Sequence, residues 1–529
     1  MIGILLDDNA FEQDIRELLM AFYPGETFVH EEKPEVSFYI ECKKNPEQTG
    51  YEIRDINCGT STFHAFHVDK EEMSEALCRE WEDYLEGRPV AITEGSRLET
   101  KNRIKRRLYF MLRSKTGKQL PWGTLTGIRP SKIAITLLEE GKDREEIAQY
   151  MRDTYLTSDE KIELTIKTAE NERELLSAFD YRNGYSLYIG IPFCPTTCLY
   201  CSFTSYPIGR WKGRTQEYLN VLYKEMDYVA EAMAERERAA AAEQECGACA
   251  GVSQGRGAGA GPLHLDTVYF GGGTPTSLSA EDLDQLLTRL ETTFPLSGIQ
   301  ELTVEAGRPD SITREKLEVL KKHHITRISI NPQTMKQETL DLIGRHHTVD
   351  MVRDCFHMAR ELGFDNINMD LIVGLPEEDV EDVRRTMEAV KALDPDSITV
   401  HSLAIKRASR LNIDREHYAS LSIRNTQEMI DLTAAYAREM GMEPYYLYRQ
   451  KNMAGNFENV GYAKPGKACL YNILIMEEKQ TIAACGAGTT TKIVFPEENR
   501  RERTENVKDV EQYIARIDEM IERKKAQKL

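Results

Sequence analysis

The sequence predicts an α/β protein in three parts: an N-terminal α+β domain (residues 1–180), a six-fold β/α repeat (185–410) and a small C-terminal domain (411–529). Three observations lead there. From Leu187 onward, short apolar runs alternate with helical stretches, as a parallel sheet covered on both faces requires. Polar residues stand at or just after the ends of those runs, where β/α barrels gather their chemistry. The 529 residues, at roughly 150 per domain, allow three to four units, and 41% hydrophobic content builds their cores without staples.

The N-terminal part opens on a strand, Ile2 to Leu6, and a helix-like stretch from Phe11 to Phe22. Alternating segments follow at Val36-Ser37-Phe38-Tyr39-Ile40 and from Cys58 to Val68, the pattern of half-buried strands. Between Lys101 and Lys118 stand eight bases (Lys101, Arg103, Lys105, Arg106, Arg107, Arg113, Lys115, Lys118) and no acid. This basic segment, 101–118, reads in two ways. It is a solvated helix face running into a packed turn at Pro121-Trp122-Gly123 and Thr126-Gly127-Ile128-Arg129-Pro130, or a docking surface for a polyanionic ligand. Residues 133–180 read as helical and acidic.

The repeat is carried by Leu187-Tyr188-Ile189-Gly190-Ile191, Thr267-Val268-Tyr269-Phe270, Leu302-Thr303-Val304-Glu305, Arg327-Ile328-Ser329-Ile330, Ile367-Asn368-Met369-Asp370-Leu371-Ile372 and Ile398-Thr399-Val400-His401. One interruption, 235–261, starts helical, passes through Ala239-Ala240-Ala241-Ala242 and ends Gly-rich. It lacks large apolar groups to pack and reads as a flexible insert. Its Cys246-Gly247-Ala248-Cys249 is an incidental pair, or a metal or redox C-x-x-C. Beyond 410 come a helical stretch (Ile423 to Met440), an aromatic cluster (Tyr445-Tyr446-Leu447-Tyr448), a loop at Gly486-Ala487-Gly488 and a charged C-terminal helix expected to be exposed.

With 68 Lys+Arg against 87 Asp+Glu the net charge is −19, a field that repels phosphate and argues against nucleic-acid or membrane-surface binding. The apolar start reaches Asp7 and Asp8 too soon for a signal sequence, and no run approaches the ~20 apolar residues of a spanning helix. The expected location is cytoplasmic, where the 11 cysteines stay reduced and act as metal ligands or reactive thiols rather than disulfides.

Three of them lie within eight residues, Cys194-Pro195-Thr196-Thr197-Cys198-Leu199-Tyr200-Cys201, directly after the first run. A structural zinc site wants four protein ligands, and no second pair lies at finger-like spacing. Three thiolates suit an iron–sulfur cluster in which one iron keeps an open site. Gly271, Gly272 and Gly273 strip a strand end of Cβ atoms, either for a tight turn or so that backbone groups can approach a ligand. Glu305 and Asp370 are acids in otherwise apolar strands, where an unpaired carboxylate is costly; a ligand with hydroxyl and ammonium groups would pair them.

C-x-x-x-C-x-x-C after a strand resembles the radical S-adenosylmethionine (SAM) superfamily. Tyr188-Ile189-Gly190-Ile191-Pro192-Phe193-Cys194 and Tyr269-Phe270-Gly271-Gly272-Gly273-Thr274-Pro275-Thr276 resemble its oxygen-independent coproporphyrinogen III oxidase group. Matching blocks continue, in order, at Thr303-Val304-Glu305-Ala306, Arg327-Ile328-Ser329-Ile330-Asn331-Pro332-Gln333, Gly344-Arg345 and Asp370-Leu371-Ile372-Val373-Gly374-Leu375-Pro376. The N-terminal extension and Gly461-Tyr462-Ala463-Lys464-Pro465-Gly466-Lys467 make the chain most similar to the HemZ branch of coproporphyrinogen dehydrogenases.

The resemblance implies a partial (β/α)6 radical SAM barrel, with a C-terminal domain that covers the substrate. It implies a [4Fe-4S] cluster on Cys194, Cys198 and Cys201, and SAM held by Glu305, Gln333, Arg345 and Asp370. Tyr188 and Tyr200 would line the SAM pocket, Gly272, Gly273 and Thr274 would contact SAM, and Ala404 would pack near its adenine; no catalytic side chain is assigned. In the implied reaction an electron enters the cluster and cleaves SAM to methionine and a 5′-deoxyadenosyl radical. The radical takes hydrogen from a propionate of coproporphyrinogen III, and loss of carbon dioxide and one electron leaves a vinyl group. The implied partners are coproporphyrinogen III or a related tetrapyrrole and a reduced flavodoxin- or ferredoxin-type donor. Segment 101–118 would then hold propionates through paired charged hydrogen bonds from Arg106 and Arg107. Two stretches depart from the relatives. Ser202-Phe203 stands where the oxidases carry Gly-Cys, closer to the haem-chaperone branch HemW. Leu470-Tyr471-Asn472-Ile473-Leu474-Ile475 replaces that branch's His-Asn-x-x-Tyr-Trp. A HemW-type tetrapyrrole carrier, or another radical SAM reaction on a porphyrin, therefore stands beside the dehydrogenase.

Overall fold

A computed structural model describes the chain except residues 8, 46, 48, 58–72, 94–95, 128, 251–261, 407, 415, 417, 419, 450–456, 496–497, 499 and 528, and except the side chains of 240–250. It divides into two compact units, Met1–Glu170 with Leu447–Asn459, and Asn171–Tyr446 with Val460–Leu529. These boundaries differ from the expected ones at 180/185 and 410/411.

In the first unit a five-stranded sheet runs in the order Phe28–Val29, Ile2–Leu6, Phe38–Lys44, Gly50–Asn57, Val90–Ala91. Ile2–Leu6 is parallel to both neighbours, and Phe38–Lys44 pairs antiparallel with Gly50–Asn57. The helices Glu12–Phe22 and Arg97–Thr116 bury Leu18, Phe22, Ile104, Leu108 and Leu112 against Ile4 and Ile40 of the sheet. The segment expected to be a strand from Cys58 lies outside the described residues.

The basic segment is turned inward. Arg97–Thr116 starts at the Ser96 cap and stops at Gly117, whose φ of 68° is the left-handed conformation that closes a helix. Lys105, Arg106 and Arg107 are only 6%, 5% and 8% exposed. Arg106 grips Glu80 with Nε and Nη2, both at 2.7 Å, and adds Glu99 at 3.1 Å and the Thr154 carbonyl at 3.1 Å. Lys115 pairs with Asp55 at 2.6 Å, and Lys118 donates to the Phe22 carbonyl. The expectation of a solvated face, and of Arg106 gripping a propionate, is corrected: all three guanidinium nitrogens are engaged within the unit, by Glu80, Glu99 and the Thr154 carbonyl, none of which lies within segment 101–118.

In the second unit the six expected runs are six adjacent parallel strands: Gly184–Ile191, His264–Gly272, Glu301–Gly307, Arg327–Ile330, Ile367–Val373 and Ser397–Ser402. Their residues are buried almost throughout, which is why they read as unbroken apolar runs. The covering helices Ala280–Thr293, Arg314–Lys322, Val349–Glu361 and Val380–Leu393 begin at Ser279, Thr313, Thr348 and Asp379, whose side chains accept from first-turn N–H groups. The C-terminal segment extends the same sheet rather than building its own. Asn459–Ala463 lies antiparallel to Ser397–Ser402, with Glu443–Tyr448 beyond it. At the other edge Thr481–Cys485 is parallel to Gly184–Ile191, followed by Thr490–Phe495 and Arg500–Glu505.

Helix Thr215–Ala250 continues through the first part of the segment expected to be flexible, because alanine favours helix even where nothing is available to pack. Residues 251–261, and the side chains of Cys246 and Cys249, lie outside the described residues. The C-terminal helix Ile517–Ala526 buries Ile517, Met520, Ile521 and Lys524, correcting the expectation of an exposed tail. Lys524 Nζ sits 2.6 Å from Glu225, a fully buried carboxylate that also accepts from Tyr513 Oη, Asn506 Nδ2 and the Gly486 N–H. Among the described residues no helix is long and apolar enough to cross a membrane.

Candidate functional site

The chain leaves Gly184–Ile191 into the cysteine loop, and backbone bonds pin that loop on several sides. Gly273 and Thr274 donate N–H groups to the Ile191 and Phe193 carbonyls, both at 2.7 Å; Leu199 donates to Ile343 and Leu411 to Leu199. A Cβ on Gly273 would stand 2.5 Å from the Phe193 carbonyl oxygen. The group that approaches this glycine closely is thus the protein's own cysteine-bearing loop. Gly272, with φ of 104°, holds a conformation that glycine adopts freely.

Cys198 is buried and Cys194 and Cys201 are half-buried. Cys194 Sγ lies 3.4 Å from Thr274 Oγ1, and Cys201 Sγ 4.0 Å from Ser205 Oγ. Burial pushes the Cys194 thiol up to about 12 and raises that of Cys201, so neither is an activated nucleophile, whereas a bound metal would deprotonate both. Among the described residues no three His, Cys, Asp or Glu side chains converge on a single ion. Three thiols that each serve a different iron of a cluster need not converge, so the donor set fits a cluster. Phe203 is 69% exposed, with Lys406 Nζ 5.2 Å from its ring centroid.

Glu305 stands in the C-terminal half of Glu301–Gly307, Gln333 just beyond Arg327–Ile330, Asp370 at the middle of Ile367–Val373, and Arg345 beyond the helix Gln337–Leu342. Burial pushes the Glu305 carboxyl up to about 7, with Asp370 adding to the rise, and Tyr269 Oη donates to it at 2.5 Å. Burial also acts to raise Asp370. Hydrogen bonds and charge from His401, with further bonds from Asn368 (Nδ2 at 2.7 Å) and Thr399, outweigh burial and hold Asp370 below the usual carboxylate range. Gln333, at a φ of 68°, donates its N–H to the Asp370 carbonyl and accepts from the Ile372 N–H, while its buried Oε1 has no partner. Arg345 donates to Tyr200 Oη (3.3 Å) and to the Asn331 carbonyl, leaving its buried Nε without an acceptor. Tyr188 stacks on Tyr269 and Tyr471, which lie 4.5 Å apart. Ala404 stands half-buried two residues beyond Ser397–Ser402. The second unit thus offers an open acceptor, an open guanidinium N–H and two carboxylates of unlike proton affinity, groups that a zwitterionic, hydroxyl-bearing ligand would pair.

Sequence reasoning missed Arg308. Its guanidinium, 3% exposed, is held by Asp310 through Nε (2.9 Å) and Nη2 (2.6 Å). Its Nη1 reaches the Thr196 carbonyl (3.0 Å), Thr196 Oγ1 (2.8 Å) and Cys198 Sγ (3.6 Å). The signal was an Arg-Pro-Asp immediately after an apolar strand end.

The family model described as the radical SAM superfamily matches residues 259–390. The chain is 40% identical over 428 residues to the oxygen-independent coproporphyrinogen-III oxidase-like protein HemZ of Bacillus subtilis, covering 80% of each chain. Heme chaperone HemW of the same organism is 35% identical over 222 residues, 42% of this chain and 51% of that one. The oxygen-independent coproporphyrinogen III oxidase of Salmonella typhimurium is 27% identical over 219 residues, 41% of this chain and 42% of that one. Among solved structures, coproporphyrinogen III oxidase (HemN) from Escherichia coli matches with a TM-score of 0.47 and 21% identity, over 66% of this chain and 73% of that one.

Proposed function

The chain belongs to the family of the oxygen-independent coproporphyrinogen-III oxidase-like protein HemZ, and from that premise we propose that it is a cytoplasmic radical SAM oxidoreductase converting propionates of coproporphyrinogen III to vinyl groups. Cys194, Cys198 and Cys201 would hold a [4Fe-4S] cluster, and Glu305, Gln333, Arg345 and Asp370 would hold SAM. When bound, these groups supply one-electron chemistry that begins with hydrogen abstraction, fed by a reduced flavodoxin- or ferredoxin-type donor. Gln333 Oε1 would accept from the ligand, Arg345 Nε would donate to its carboxylate, and Glu305, once ionised, would accept from its ammonium or hydroxyl groups. The stacked rings of Tyr188, Tyr269 and Tyr471 would wall the SAM pocket and keep water out. Tyr200, Gly272, Gly273, Thr274 and Ala404 would complete its lining.

The observation that supports this most directly is the buried, unpartnered Gln333 Oε1 on a residue whose backbone bonds to the strand of Asp370. The test is anaerobic reconstitution with iron and sulfide, then reductant, SAM and coproporphyrinogen III, with mass analysis of the porphyrins. Protoporphyrinogen that disappears in Cys194→Ala, Cys198→Ala and Cys201→Ala supports the assignment. Production of 5′-deoxyadenosine with the porphyrinogen untouched overturns it. A haem carrier is favoured by one feature, Phe203 where the oxidases have cysteine. That role predicts tight haem binding by absorbance titration without consumption of SAM.

A further inference from the structure

We propose that the first unit carries a binding site for a small organic carboxylate with an apolar body, in a cleft headed by Arg107. The cleft lies between the helices Glu75–Leu85 and Arg97–Thr116 and the Val90–Ala91 strand. Its lining includes Glu80, Asp83, Val90, Arg103, Arg107 and Phe110.

The charges in this cleft are unevenly satisfied. Glu80 is gripped by Arg106 and contacted by Arg103, and Asp83 is held by Arg88 Nε at 2.6 Å. Arg107, more than nine-tenths buried, makes one hydrogen bond, from Nη1 to the Arg88 carbonyl at 2.7 Å, and lies over the Tyr84 ring at 5.7 Å. Among the described residues no carboxylate is within ion-pair distance of it. No Arg107 nitrogen is both closed off from solvent and without a partner, so the rest of its fork stays open to acceptors, and the cleft is the side from which one can arrive. Burial lowers its pKa even with Asp83 and Glu80 nearby, as expected of a cation short of direct partners.

The chemistry of the walls selects the ligand. A guanidinium fork matches the two oxygens of a carboxylate or phosphate. Phe110, Val90 and Pro89 present apolar surface beside it, which a compact, strongly hydrated phosphate would leave uncovered and an apolar body would cover.

The test uses the full-length protein with sodium benzoate, sodium phosphate and sodium chloride at matched ionic strength, read by thermal unfolding and titration calorimetry. Benzoate is expected to raise Tm saturably above the chloride control, and Arg107→Gln to weaken its binding about tenfold or more. The proposal fails if benzoate acts no better than chloride, if phosphate acts as well as benzoate, or if Arg107→Gln binds benzoate as the parent does. If Arg107 only packs, the variant lowers Tm equally with and without benzoate, which also overturns it. Should Arg107→Gln not fold, modification of the parent protein by phenylglyoxal decides: benzoate slows reaction at Arg107 and not at exposed Arg210, whereas an unchanged rate at Arg107 refutes the site.

Discussion

Arg308 ties the end of Glu301–Gly307 to the cysteine loop and brings a permanent positive charge and an N–H group to Cys198 Sγ. Hydrogen bonds and charge near a cluster's sulfurs set its potential. With the proposed cluster in place, Arg308→Gln should shift the midpoint potential to more negative values, on the order of tens of millivolts, while Arg308→Lys retains part of the effect; a redox titration followed by electron paramagnetic resonance reads both. Glu305 gives a pH dependence. Its folded carboxyl is held up at about 7, so below that pH it must lose a proton before it can accept from a ligand's ammonium or hydroxyl group. SAM affinity should therefore fall about tenfold per pH unit below 7 and level off above it, with proton release seen in calorimetry across several buffers; Glu305→Gln should remove both. The three cysteines were legible because their spacing is local. Arg308 was not, because the groups that give it meaning, Thr196 and Cys198, lie more than a hundred residues earlier in the chain.

Among elements, the helix Arg97–Thr116 shows how far a linear charge pattern can mislead. Its run of bases suggested a surface, yet its neutralising acids, Glu80 and Asp55, come from another helix and from a strand edge that the run itself does not contain. Arg106→Ala should cost about 3 kcal/mol in urea unfolding of the full chain, since it leaves Glu80 without its two-point partner, and should leave SAM binding unchanged. The six parallel strands, by contrast, were readable one by one: burial on both faces makes each strand's own composition sufficient to mark it. Thr215–Ala250 falls between these cases, because the alanines that deny it a core still favour its helix.

Across the whole molecule, the C-terminal segment is not an appendage to the repeat. Thr481–Cys485 and Asn459–Ala463 each flank the six-strand core, and Lys524 closes a buried network around Glu225. Lys524→Ala should destabilise the full chain by about 3 kcal/mol, because it leaves Glu225 charged and buried without its cation. The adjacent Lys525→Ala, which removes an exposed pair with Glu522 and a distant ring contact with Tyr228, should cost less than about 1 kcal/mol. Urea melts of the two variants side by side test the contrast. No sequence pattern announces Glu225–Lys524, since each residue reads locally as one more charge on a helix.

The pairing of Tyr185 with Thr481 carries a consequence for synthesis. The strand that leads into the cysteine loop emerges from the ribosome long before the strand that covers its outer edge. Until Thr481–Cys485 has been translated, that edge presents unpaired backbone groups on the strand that leads into the three thiols. Loading of the proposed cluster onto a finished second unit therefore follows synthesis of Thr481–Cys485, and an iron-starved cell should accumulate a protease-resistant apoprotein rather than nascent fragments.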